Sequence, residues 1–189
     1  PDSDQDGWAD FEDAQPSEPT QWSDIDGDGY GDNLAGVLPD ACPSEAGNST
    51  LGNRMGCPDD DGDGWDNVID ELPLTPTQWL DQDGDGYGDN PNGTNPDACP
   101  TVIGTSTIDR YGCPDEDGDG ASDVNDLWLG DSSQWFDSDG DGFGDQESGT
   151  MGDSCPSVAG TSSLGTKHGC LDSDGDLWAD IEDAFPEQD

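Results

Sequence analysis

The sequence predicts a mostly irregular chain, a tandem-repeat rod with little regular secondary structure and local disulfides. Three observations support this prediction. The 28 glycines and 14 prolines among 189 residues make long helices unfavourable. Only 28% of the residues are hydrophobic, so little apolar surface is available for a core. One aspartate-rich motif recurs seven times in register, which indicates repeated structural units rather than an arbitrary acidic tail.

Acidic residues dominate the charge of the chain, because 47 Asp and Glu face 3 Lys and Arg, for a formal net charge of −44. A polyanion of this kind repels itself, so composition alone favours an expanded, disordered chain. Nucleic acid is an implausible partner, because its phosphates carry the same sign of charge. No stretch is long and apolar enough to span a membrane. A folded state therefore requires that the carboxylates be neutralised where they lie.

The first loop type reads D-x-D-x-D-G-x-x-D-x-x-D, and its aspartates alternate along a tight loop. Such carboxylates converge on one point, and glycine at position 6 permits the sharp turn. Ca²⁺ takes about six to eight oxygens from loops of this kind, including the backbone carbonyl at position 7. Leu177 replaces the glycine at position 6 in the last copy. The predicted metal ligands are Asp2, Asp4, Asp6, Trp8, Asp10 and Asp13; Asp59, Asp61, Asp63, Trp65, Asn67 and Asp70; Asp115, Asp117, Asp119, Ala121, Asp123 and Asp126; and Asp172, Asp174, Asp176, Trp178, Asp180 and Asp183.

The second loop type begins 22 residues after the start of each of the first three type-one loops and reads D-x-D-G-D-G-aromatic-G-D. It has no consistent carboxylate at position 12. An aspartate two residues before a cysteine is the expected substitute in each unit. With one or two ions in each loop, the chain would bind about 7 to 14 Ca²⁺ ions. The predicted ligands are Asp24, Asp26, Asp28, Tyr30, Asp32 and Asp40; Asp81, Asp83, Asp85, Tyr87, Asp89 and Asp97; and Asp137, Asp139, Asp141, Phe143, Asp145 and Asp153.

The spacing of the loops defines the repeat, because type-one loops begin at steps of 57, 56 and 57 residues. Each full unit contains a type-one loop, a proline-containing bridge with T-Q-W or S-Q-W, a type-two loop and a cysteine-closed loop. Prolines close behind the loops exclude the flanking helices of an EF-hand. We expect at most one helical turn after type-one loops, at 9–14 and 179–184. The predicted units are 1–57, 58–113 and 114–170, with a partial unit at 171–189.

Six cysteines fall in pairs at equivalent places in the three full units. Pairing the two cysteines within each unit leaves no cysteine unpaired. Pairing cysteines between neighbouring units is the other choice that respects the repeat, and it leaves the first and last cysteines without a partner. Closing a loop of about 15 residues stabilises the fold by roughly 3 kcal/mol in the chain-entropy model. Zinc is disfavoured, because there are no C-x-x-C pairs or histidine partners. Disulfides in a chain with little core predict an oxidising, extracellular or cell-surface location. The predicted pairs are Cys42–Cys57, Cys99–Cys113 and Cys155–Cys170.

These tandem loops, with their D-A-C-P and G-C-P-D junctions, resemble thrombospondin type 3 repeats, and most closely the version found in microbial surface proteins. The resemblance covers essentially the whole chain. It implies a wire-like or stalk-like array folded around calcium, with the loop aspartates as calcium ligands. Two features depart from the family pattern, namely the insert between Asp32 and Asp40, repeated in each unit, and the missing twelfth ligand of type-two loops.

Several side features have a functional and a structural interpretation. The aromatic residues at position 7 form either a sugar-stacking ladder or small packing clusters that cover the metal-bound backbone carbonyl. Trp22, Trp79 and Trp135 are expected to pack the bridge between the loops. Asn48 and Asn92 begin N-glycosylation sequons in predicted surface segments. The single histidine, His168, has no nucleophile pattern around it, so we expect an exposed loop residue and no enzymatic activity.

Two functional hypotheses follow. The first is an extracellular calcium-binding structural protein that forms a rigid stalk, or a surface filament with other copies of itself. The second is a calcium-dependent adhesin that binds glycans or a partner protein at the cell surface. A secreted calcium buffer is a third class, and it would form no ordered assembly.

Overall fold

The structure, a computed structural model, describes residues 1–188, and within them it contains no α-helix and no β-strand. Turns and bends make up the backbone, with one isolated parallel bridge between Gly31 and Pro39. The prediction of a mostly irregular fold is confirmed. In the described residues no helix could cross a membrane. The predicted partial unit 171–189 ends at Asp189, which lies outside the described residues.

Single helical turns follow the type-one loops, as the sequence predicts. The Asp13 N–H donates to the Ala9 carbonyl at 3.0 Å, and the Asp183 N–H donates to the Ala179 carbonyl at 2.9 Å. Neither turn continues, because proline follows within three residues.

The chain divides into two compact units, Pro1–Pro96 and Asp97–Asp189. In both units the buried hydrophobic residues are small. They are Cys57, Cys113, Ala121, Cys170 and Ala179, whereas most of the large hydrophobic side chains are exposed. The interior of each unit is therefore built mainly from polar side chains and disulfides.

A buried glutamine organises the segment after each type-two loop. In the second repeat, Gln78 is 1% exposed. Its Nε2 donates to the carbonyls of Asn90 and Thr94 at 3.1 and 3.2 Å, and its Oε1 accepts the Asn90 N–H at 2.9 Å. A Cβ on Gly88 would lie 2.3 Å from Gln78 Oε1, so only glycine fits there. The glutamine thus replaces an apolar residue as the anchor of this segment.

The other two full repeats contain the same arrangement. Gln21 binds the backbone of Asn33 and Val37, and Gln134 binds the backbone of Gln146 and Thr150. The sequence analysis assigned the bridge contacts to the neighbouring tryptophans and did not identify these glutamines. Their burial in three equivalent places shows that the T-Q-W element is primarily a hydrogen-bonding anchor.

Three disulfides close the cysteine loops, and their pairing is the one predicted: Cys42–Cys57, Cys99–Cys113 and Cys155–Cys170. A buried serine supports each loop from inside. In the first loop Ser49 Oγ donates to the Arg54 carbonyl and accepts the Cys57 N–H at 3.0 Å. Ser106 and Ser162 make the equivalent contacts in the other loops.

Substituting Gln78 by Leu is expected to lower the free energy of unfolding by roughly 3 kcal/mol, because two carbonyls and one N–H lose their buried partner. Urea unfolding followed by tryptophan fluorescence measures the change. Gln82→Leu is the matched control, since Gln82 is exposed, and it should alter stability by less than about 0.5 kcal/mol. Equal effects of the two substitutions would contradict the anchoring role.

Candidate metal centre

Hydrogen bonds within each loop turn its first carboxylate inward. In the second type-one loop, Asp59 Oδ1 accepts the Gly62 N–H at 2.7 Å and Asp59 Oδ2 accepts the Gly64 N–H at 2.9 Å. Asp63 Oδ1 accepts the Trp65 N–H at 2.8 Å. These contacts recur in all seven loops at the same positions. The aspartate rhythm therefore encodes the turn as well as the charge.

Left-handed backbone at positions 4 and 6 makes this turn possible. Gly62 and Gly64 have φ of 81° and 101°. Leu177 keeps the turn at φ 78°, and Gln5, at position 4 of the first loop, has φ 67°. Each of these two non-glycine residues costs about 1–2 kcal/mol of conformational strain. The sequence analysis recognised the requirement at position 6 and missed the same requirement at position 4.

The structure brings the aspartates of positions 1, 3 and 5 together. Within residues 1–188, seven groups of at least three acidic residues have one ligand atom each within 4.8 Å of the others, an arrangement that could hold a metal ion. Five of them are Asp2, Asp4 and Asp6; Asp24, Asp26 and Asp28; Asp59, Asp61 and Asp63; Asp81, Asp83 and Asp85; and Asp115, Asp117 and Asp119.

Buried carboxylate oxygens without a hydrogen-bond donor point into these groups. At positions 3 and 5 of the second type-one loop, Oδ2 of Asp61 and Oδ2 of Asp63 are both buried and have no donor. A buried charged oxygen without a partner is costly, and two beside each other repel. A cation coordinated by these oxygens removes both penalties, so the residues fit a metal ion. The same unpartnered atoms occur in Asp4, Asp6, Asp26, Asp83, Asp117, Asp119, Asp139 and Asp174.

Position 12 of the type-one loops adds a further carboxylate near each group. Asp70 is 6% exposed, and its Oδ1 accepts the Leu72 N–H at 2.7 Å. Burial raises the pKa of Asp70, and the charges of Asp63, Asp61 and Asp59 raise it further. Asp126 has a raised pKa for the same reasons, with Asp117 and Asp115 among its neighbours. The twelfth residue therefore belongs to the same electrostatic cluster.

Position 9 carboxylates have a different local role. Both oxygens of Asp10 accept hydrogen bonds from Ser3, from its N–H at 2.7 Å and its hydroxyl at 2.8 Å. These bonds lower the pKa of Asp10. Asp145 and Asp180 bind Ser138 and Ser173 in the same way. These residues close the loop end to end, and their role as direct ligands stays a prediction.

The structure supplies the expected substitute carboxylate beside the first and third type-two loops. Asp40 is fully buried, its Oδ1 accepts the Cys42 N–H at 2.7 Å, and its Oδ2 has no donor. Burial raises the pKa of Asp40, and so do the nearby charges of Asp28, Asp26 and Asp32. Asp28 Oδ2 also accepts the N–H of Gly47, inside the disulfide loop, at 3.0 Å.

Asp153 repeats this arrangement. It is 1% exposed, it accepts the Cys155 N–H at 2.6 Å, and Asp141 accepts the Gly160 N–H at 2.8 Å. Asp97 is also buried and accepts the Cys99 N–H at 2.6 Å. The cysteine loop thus supports the acidic cluster of the preceding type-two loop in the first and third repeats.

The position-7 aromatics and the sequons have distinct surroundings. Trp65 stacks on Trp79 with ring centroids 6.4 Å apart. For this pair the contact supports packing rather than a sugar-stacking ladder. Trp8 and Trp178 stay 46% and 42% exposed. Asn48 and Asn92 are exposed, as sequons require, and their glycosylation stays a prediction.

His168 is half-buried, with its ring 6.2 Å from the ring of Phe143. The expectation of an exposed loop residue is wrong, because this contact between two rings removes part of the imidazole from solvent.

The basic residues form a pattern that the sequence analysis did not identify. Arg54, Arg110 and Lys167 are the only three in the chain, and each lies three residues before the second cysteine of its loop. Arg54 Nε lies 2.8 Å from Oδ2 of Asp66, which is 1% exposed. Arg54 therefore neutralises a buried carboxylate that is not in a metal position. The sequence could have revealed this pattern, because all three basic residues have the same spacing from the second cysteine of their loop.

No protein family model and no curated protein matches the sequence of this chain. The resemblance to thrombospondin type 3 repeats therefore stays a prediction that rests on the loop motifs and their spacing.

Metal removal is expected to reverse the pH dependence of stability. Burial raises the pKa of Asp40, Asp70 and Asp153, and neighbouring carboxylates raise it further. In chelated protein the native state then binds more protons than the unfolded state between about pH 6 and pH 4, so the free energy of unfolding rises as the pH falls. With metal bound, protons compete for the same oxygens, and the free energy of unfolding falls as the pH falls.

Because chelated protein is expected to be largely unfolded at neutral pH, the folded fraction is followed by near-UV circular dichroism across this range, with EDTA or with excess divalent metal, and gives both slopes. The account requires slopes of opposite sign. Slopes of the same sign would show that these carboxylates do not bind the metal.

Proposed function

We propose that this chain is an extracellular calcium-binding structural repeat protein. The observation that carries the proposal is the recurrence of unpartnered, buried carboxylate oxygens at positions 3 and 5 of the loops. Carboxylate and carbonyl oxygens are the only donors in these groups, a set that suits hard cations rather than zinc or copper. When bound, the ion supplies the positive charge that such a loop lacks.

Calcium is favoured over magnesium by the number and flexibility of the donors. Each loop offers three to five carboxylates and a backbone carbonyl, whereas Mg²⁺ keeps several waters and needs near-ideal octahedral geometry. Three disulfides favour an oxidising compartment. Extracellular calcium modules bind at about 10⁻⁴–10⁻³ M, so the calcium of that environment would keep the loops loaded. We propose about 7 to 14 ions for the chain, at one or two in each loop.

The proposed role is architectural. Each unit has too small an apolar interior to hold its loops by packing alone, so neutralised carboxylates, glutamine anchors and disulfides would fix the backbone. Successive units of this kind suit a rigid stalk or a surface filament in which other copies of the chain are the partners. This role also agrees with the resemblance to thrombospondin type 3 repeats.

Electron microscopy of the protein in calcium and after chelation tests this function. The proposal predicts rods or filaments of uniform width in calcium, and loss of that shape in EDTA with the disulfides intact. Particles that are extended and irregular in both conditions would favour a soluble calcium buffer and overturn the architectural role. Uniform rods in both conditions would overturn the role of calcium.

A further inference from the structure

The third type-one loop departs from the other three at position 7. It carries Ala121 where they carry Trp8, Trp65 and Trp178. Ala121 is 4% exposed and lies at the base of a cavity of about 540 Å³. The cavity lies within the second compact unit and opens to solvent. Its walls include Ile108, Asp109, Asn125, Trp135 and Phe136.

The second repeat shows what the equivalent space can hold. There Trp65 stacks on Trp79, which follows 14 residues later, with an interplanar angle of 17°. Trp135 follows Ala121 by the same 14 residues. The alanine therefore removes the ring that would stack on Trp135, and Trp135 lines the cavity instead. A flat ring of similar size fits the space.

Two further differences surround the same space. Asn125 stands where the second repeat has Ile69, and Phe136 stands where it has Leu80. The loss of the covering ring is thus accompanied by a wider aromatic surface and a more polar rim. A simple loss of packing would not require either change.

A fixed carboxylate completes the rim. Asp109 Oδ1 accepts the Ser122 N–H at 2.9 Å, and its Oδ2 accepts the Ser122 hydroxyl at 2.9 Å and the Asn125 amide. Burial opposes ionisation, but the hydrogen bonds from Asn125 and Ser122 prevail and lower the pKa of Asp109. The equivalent cysteine loop of the first repeat has Gly52 and Asn53 in this place, so this carboxylate is absent there.

We propose that this cavity is a binding site for one ring of a neutral saccharide. A pyranose ring has a C–H face that packs on an indole and hydroxyls at its edge. The C–H face would lie on Trp135, and the hydroxyls would reach Asp109 and Asn125. An aromatic side chain from a partner protein would cover the indole but would make no use of the polar groups of Asp109 and Asn125 at the rim. Anionic sugars are disfavoured by the charge of −44.

The test is an NMR titration of the full chain in calcium, observing the indole N–H resonance of Trp135. The probes are maltose, cellobiose, lactose, mannobiose and chitobiose, with free indole as a separate arm. At least one disaccharide should shift this resonance in a saturable way, with the millimolar affinity expected of a single ring site. The indole resonances of Trp22 and Trp79 should not move.

Three variants sharpen the test. Ala121→Trp restores the ring found in the second repeat, so it should fold and lose saccharide binding. Asn125→Ile restores the apolar wall and should weaken binding about tenfold, since hydrogen bonds to the rim are lost. Trp22→Ala is the matched control, because Trp22 is the equivalent platform in another repeat, and it should leave binding unchanged.

Three outcomes would overturn the proposal. They are the absence of any shift with all five disaccharides, binding that survives Ala121→Trp, and binding of indole without binding of any disaccharide. The last outcome would instead assign the cavity to an aromatic side chain of a protein partner.

Discussion

The mutual repulsion of carboxylates held in tight loops is the constraint on which this structure depends. Each loop fixes its turn by aiming one oxygen of an aspartate at backbone N–H groups, and this leaves the other oxygen buried and without a donor, as in Asp61 and Asp63. The hydrogen bonds that shape the loop thus create the negative site. A cation would satisfy the oxygens that the backbone cannot reach, so the proposed function makes metal binding and loop folding one process.

Between the loops, buried polar side chains hold the backbone in place by hydrogen bonds, as apolar side chains do in an ordinary hydrophobic core. Gln78 anchors the segment after a type-two loop, and Ser49 supports a cysteine loop from inside. Asp40 joins the two kinds of structure, because it accepts the Cys42 N–H while lying among the carboxylates of the preceding loop. The disulfides, the buried amides and the acidic clusters therefore depend on one another within each repeat, which explains how a chain with so little apolar burial can order its backbone.

Much of this arrangement could be predicted from local pattern. The acidic groups that could hold a metal ion, the irregular backbone and the disulfide partners each follow from spacing within a few residues or from the repeat. Gln78 could not be recognised in this way, because its partners lie 12 and 16 residues away and a glutamine in an acidic sequence usually faces solvent. His168 was predicted exposed because its contact with Phe143 is still more distant in sequence, at 25 residues. Position 4 was missed because the calcium-loop pattern emphasises position 6, although Gln5 and Gly62 share the same left-handed backbone.

The central claim is that divalent metal, rather than a hydrophobic interior, holds the backbone of this chain in place. The most direct measurement is the ¹H–¹⁵N NMR spectrum of disulfide-intact protein during chelation and calcium titration. The account predicts that the amide resonances of the loop glycines, such as Gly62 and Gly64, collapse into the random-coil region in EDTA and return as calcium is added. A dispersed spectrum that is unchanged by EDTA would contradict the account.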